Sequence, residues 1–119
     1  MRAIVGYEAD EIVPGQILMA GSMKWEEDTR VSIVIGPSVS PKDIVGYAEN
    51  FARVDNHIEA DLEFNVDNAL SYLERSMGPT IYATNITGHI FRNIRFVNSG
   101  VIRQIYFSPY VPWAGKWRI

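Results

Sequence analysis

The chain carries two histidines, His57 and His89, and no cysteine. His57, Glu59 and Asp61 alternate along the sequence, which places three ligand-type side chains on one face of a strand. Same-face neighbours on a strand stand ~6–7 Å apart, too wide to share one ion without a further ligand from elsewhere. The row reads as a solvated polar face. His89 follows Thr87-Gly88 and precedes an apolar stretch. A Ser-His-Asp set could be drawn around it. Serine catalysis, however, needs a sharp nucleophile turn and prepared oxyanion donors, and no G-x-S-x-G occurs. Gly6, Gly15, Gly21, Gly36 and Gly46 fall in no phosphate-loop pattern. Asn85-Ile86-Thr87 matches a glycosylation sequon, but the first ten residues meet acid at Glu8 and hold no signal-peptide core. The expectation is no enzyme, no catalytic residue, no metal and no cofactor.

Bases and rings interleave in Phe91, Arg92, Arg95, Phe96, Arg103, Tyr106 and Phe107. Single-strand binding platforms use such residues, with bases stacked on exposed rings. The plainer reading puts the rings in a core under the arginine stems. Tyr110, Trp113 and Trp117 lie in a terminal stretch with two prolines. They either dock on their own domain or anchor a neighbour, because chain ends need tying down and Trp, Tyr and Arg dominate interface hot spots. Interface candidates are therefore Tyr110, Trp113, Trp117, Arg92, Arg95 and Arg103, with the acidic row Glu59, Asp61 and Glu63.

The formal net charge of −3 hides a division. Residues 1–74 hold all 14 acids and five bases, net −9; residues 75–119 hold six bases and no acid, net +6. A dipolar surface suits contacts between copies or docking on a charged partner, since complementary patches steer and orient encounter. Alternatively the two signs cancel inside one small domain. The chain as a whole is acidic, so nucleic acid is not an expected partner. A membrane is not either, because the apolar runs are only a few residues long.

These residues must be positioned by strands. At 119 residues, with 47% hydrophobic and 21% charged, the chain fits one globular domain. Strands are expected at Ile4–Tyr7, after the turn Pro14-Gly15 as far as Ala20, and over Val31–Ile35. Asp43 to Val54 and His57 to Phe64 flank Asp55-Asn56 as a hairpin. Ile58, Ala60, Leu62 and Phe64 would face the core, and a one-residue slip would bury the acids opposite them. A helix is expected over 67–77, capped by Asp67, with Leu70, Leu73 and Met77 as its apolar stripe and Gly78-Pro79 as its stop. Thr80–Thr84 reads as a short strand. His89–Val97 and Val101–Phe107 read as a second hairpin around Asn98-Ser99-Gly100. The expected fold is mostly β: a small barrel or sandwich of about seven to nine short antiparallel strands with one helix. It would form one domain over 1–108, with an aromatic arm over 109–119.

Arg30-Val31-Ser32-Ile33-Val34-Ile35, then Ile44-Val45-Gly46-Tyr47-Ala48-Glu49, then Val54-Asp55-Asn56-His57-Ile58-Glu59-Ala60-Asp61-Leu62-Glu63-Phe64 together resemble the early strands of tailed-phage prohead proteases. Val101 to Pro109 followed by Pro112-Trp113-Ala114-Gly115 is similar to the ending of the same family. The resemblance covers roughly half the chain. The family's catalytic histidine follows the apolar strand, where this chain has Gly36-Pro37-Ser38, and its serine segment has no counterpart. The resemblance therefore implies a barrel-like scaffold without the protease, in a phage setting. The expected role is a non-catalytic structural or interaction protein acting in several copies, such as a capsid decoration, connector or tail part. Its partners would be copies of itself or other particle proteins, in the host cytoplasm and the virion. The alternative is a small inhibitor that offers the row Glu59, Asp61 and Glu63 to a host protein.

Overall fold

A computed structural model describes residues 1–9, 15–35, 44–65 and 77–119. They form eight strands: β1 (Arg2–Tyr7), β2 (Gln16–Leu18), β3 (Met23–Lys24), β4 (Arg30–Ile35), β5 (Ile44–Val54), β6 (His57–Phe64), β7 (Gly78–Phe91) and β8 (Ile94–Ser108). The expectation of a mostly β fold holds, and the strands make one open sheet curled into a half-barrel. The helix expected over 67–77 lies outside the described residues except for Met77. That residue is buried, without helical structure, just before β7.

The Asp55-Asn56 turn is where the sequence places it. Asp55 takes a left-handed φ of 53°, which Asp tolerates better than most residues. β5 and β6 pair antiparallel across it, from Val54 opposite His57 to Gly46 opposite Phe64. Ile58, Ala60 and Leu62 are buried, as the alternation requires. β1 lies on the far side of β6, and β4 on the far side of β5.

β8 organises the rest. Its whole length pairs antiparallel with β7. Its other edge receives three strands in succession, all parallel: β2 at Arg95–Val97, β3 at Gly100–Val101 and β4 at Gln104–Phe107. The sheet is thus mixed, whereas the alternation alone suggests antiparallel pairs throughout. Sequence periodicity reports which residues face inward but not the direction of the neighbouring strand.

The second hairpin also turns elsewhere than expected. The chain reverses at Arg92-Asn93, both with positive φ (51° and 66°), as a two-residue hairpin turn demands. Asn98-Ser99-Gly100 runs straight on within β8. Gly100 serves close approach rather than a turn: a Cβ there would stand 3.0 Å from Met23 Cε and 3.2 Å from Ala83 Cβ. The short strand expected at Thr80–Thr84 is the inner part of the 14-residue β7.

The last residues close the curl. Ile4 N–H donates to Trp117 O at 2.9 Å, and Ile119 N–H to Arg2 O at 3.1 Å, so the terminus lies along the free edge of β1. Trp117 is 1% exposed, meets the Phe107 ring edge-on at 5.2 Å and donates its indole N–H to Met77 O at 2.8 Å. Trp113 is buried as well, packs on Tyr7 at 5.2 Å and donates to Pro79 O. Both indoles thus gain apolar burial without leaving their N–H unpaired.

Candidate functional site

The β7–β8 hairpin leaves the barrel. On β7, Gly78 and Pro79 are buried, but every residue from Asn85 to Phe91 is exposed. On β8, the support from β2 ends at Arg95, so the turn and its flanks stand beyond the rest of the sheet. At ~3.3 Å per residue, 15-residue β8 is long enough to run the 42 Å of the molecule's greatest extent.

The tip of this arm is apolar and cationic. Ile90 is 76% exposed and Phe91 57%. The Arg92 guanidinium lies 5.2 Å from the centre of the Phe91 ring, a cation–π contact at an exposed site. His89 stacks on Phe96 with centroids 5.1 Å apart. Arg95 is exposed beside them, its backbone N–H held by Gly15 O at 2.9 Å. Further down the hairpin, Arg103 Nε donates to Thr84 Oγ1 at 2.9 Å. Among the described residues, no carboxylate lies within ion-pair distance of Arg92, Arg95 or Arg103.

Glu8, Glu59 and Asp61 find partners in their own part of the chain. Arg2 spans the row on β6, at 3.3 Å from Glu59 and 3.1 Å from Asp61. His57 Nε2 is 2.7 Å from Glu59 Oε2, and Asn50 Nδ2 donates to Asp61 Oδ2 at 2.9 Å. These bonds hold both carboxyls below their usual ranges, for Glu59 chiefly through His57 and for Asp61 chiefly through Asn50. Glu63 stays exposed. Glu8 is buried and receives Arg53 through two nitrogens and Met23 N–H at 3.0 Å. The ion pairs Arg2–Glu59, Arg2–Asp61, Arg53–Glu8 and His57–Glu59 all join groups of residues 1–74.

The remaining candidates separate. Trp113 and Trp117 dock in cis, Trp113 against Tyr7 and Trp117 against Phe107, and both are buried. Tyr110 is 90% exposed. The arm expected over 109–119 is thus mostly a closure of the domain. His57 and His89 lie on different strands, one at the row on β6 and one on the arm. No set of three His, Asp or Glu among the described residues is placed to share a metal ion. No helix among them is long and apolar enough to cross a membrane.

Sequence reasoning missed the exposure of Ile86 and Ile90 by placing the turn six residues too late. The available signal was that Gly78–Phe91 contains no charged residue and no clean alternation, which does not fit a half-buried strand. Comparison with family models, curated proteins and solved structures gives no match.

Proposed function

We propose that this protein is a non-catalytic interaction module that works in several copies, with the β7–β8 arm as its docking element. The observation that carries this reading is the tip itself: Ile90 and Phe91 exposed beside Arg92 and Arg95, with no carboxylate among the described residues within ion-pair distance of the arginines. An apolar centre with arginine and aromatic anchors is the composition of interface hot spots. The acidic remainder of a second copy supplies the opposite sign, through exposed Glu26, Glu27, Asp28 and Glu63. Such charge division favours head-to-tail contacts, which build rings or filaments. The resemblance of residues 30–35, 44–49, 54–64, 101–109 and 112–115 to prohead protease strands suggests a phage particle as the setting. The inhibitor reading has less support, since Arg2 neutralises two of its three carboxylates.

Sedimentation velocity over a range of protein concentrations tests the proposal. The wild type should associate at low salt, and Ile90→Ser with Phe91→Ser should stay monomeric with an unchanged circular dichroism spectrum. Equal association of both proteins would remove the arm from the account.

A further inference from the structure

A cavity of about 200 Å³ opens between β1 and β7, at the root of the arm. It lies where β1 approaches β7 across the curl of the sheet, and a concave, mostly apolar site of this kind is a usual place for a ligand. Leu18, Met23, Ile81, Val97 and Trp113 make its apolar walls. Tyr7, Gln16 and Thr80 also line it, and among the described residues their side chains have no hydrogen-bond partner. Among the described residues, no Asp, Glu, Lys, Arg or His lines the cavity. Gly6 keeps the wall thin: a Cβ there would stand 2.8 Å from Ile81 Cδ1.

We infer that this cavity binds a small uncharged molecule that has an apolar ring and one hydroxyl or amide group. Charge is disfavoured because nothing in the lining would pair with it once water is excluded. The size follows from the volume, since a cavity of ~150 Å³ already holds benzene. One or two rings fit. The polar group follows from Tyr7, Gln16 and Thr80, which offer donors and acceptors that no described residue uses. The inference is independent of the arm's role.

Isothermal titration with p-cresol and indole tests it, with tryptophan fluorescence as a second readout, because Trp113 lines the cavity. Both probes should bind and alter the emission. Toluene, which lacks the hydroxyl, should bind about tenfold more weakly, the cost of one unmade hydrogen bond. The anion 4-hydroxybenzoate should not bind. Ala83→Leu fills the cavity and should abolish binding of p-cresol. Thr80→Val keeps the shape and should weaken p-cresol toward the level of toluene, so it decides the matter should Ala83→Leu fail to fold. Absence of heat and of any emission change at millimolar p-cresol and indole overturns the inference. Unchanged p-cresol affinity in Thr80→Val also overturns it.

Discussion

Arg53 on β5 crosses to Glu8, just past the end of β1, and bonds both carboxylate oxygens, while its Nη2 also donates to Met23 O at 2.6 Å. Three segments distant in sequence are tied by one side chain. Glu8 is buried, so removing the guanidinium would leave a carboxylate without compensation. Breaking a fully buried pair costs ~3–5 kcal/mol. Arg53 is 35% exposed, and water screens part of that. Arg53→Met should therefore lower stability by about 2–3 kcal/mol in urea titration at pH 7. The double variant with Glu8→Gln should recover part of the loss.

The same pair sets an acid response. Burial alone would raise the Glu8 pKa, but the bonds from Arg53 and from Met23 N–H outweigh it, and the group titrates below its ordinary value of 4.5. A carboxyl with a depressed native pKa stabilises the fold above its unfolded value and loses that contribution as pH falls through the native one. Glu59 and Asp61 act in the same direction. Thermal unfolding should thus be nearly flat from pH 7 to 5 and fall steeply below about pH 4.5. Glu8→Gln should flatten the steep part.

Trp117 fills the seam where β7 and the terminus meet. Trp117→Ala should cost about 3–5 kcal/mol, chiefly through the cavity it leaves, since Met77 O loses the indole donor but keeps the Gly115 N–H at 3.1 Å. Trp117→Phe should cost less. A loss under 1 kcal/mol on chemical denaturation would mean that the terminus does not close the domain. Tyr110→Ala, at a residue almost wholly exposed, should change stability by no more than ~0.5 kcal/mol.

Arg92 holds a left-handed φ of 51°, a strained conformation for a long side chain. Asn tolerates it better. Arg92→Asn should raise stability by up to ~1 kcal/mol in denaturant titration while weakening association, so that folding and docking move in opposite directions.

The β5–β6 hairpin was legible because Asp55-Asn56 joins two stretches of clean alternation, and register there is set by burial. The β7–β8 hairpin was not. Arg92 is a poor marker of a turn, and Gly100 looks like one while serving the close approach of Met23 and Ala83. The direction of β2, β3 and β4 against β8 was invisible, because long-range pairing leaves no local periodicity. The division of charge was readable from composition alone. That Arg2 and Arg53 meet acids of their own part of the chain was not, since such pairing depends on the fold. The candidate site was half legible: Arg92 and Arg95 stood out, but the exposure of Ile90 and Phe91 required the true turn.

Static light scattering of the wild type and of the variant Arg92→Glu with Arg95→Glu, at low and high salt, tests the interaction arm most directly. Exposed charges are screened beyond ~10 Å at 0.1 M salt, so the attraction between copies should fade as salt rises. The wild-type mass should exceed 13.5 kDa at low salt, return toward it at high salt, and stay at that value in the variant throughout. A wild type that remains at 13.5 kDa at low salt and high concentration would contradict the account.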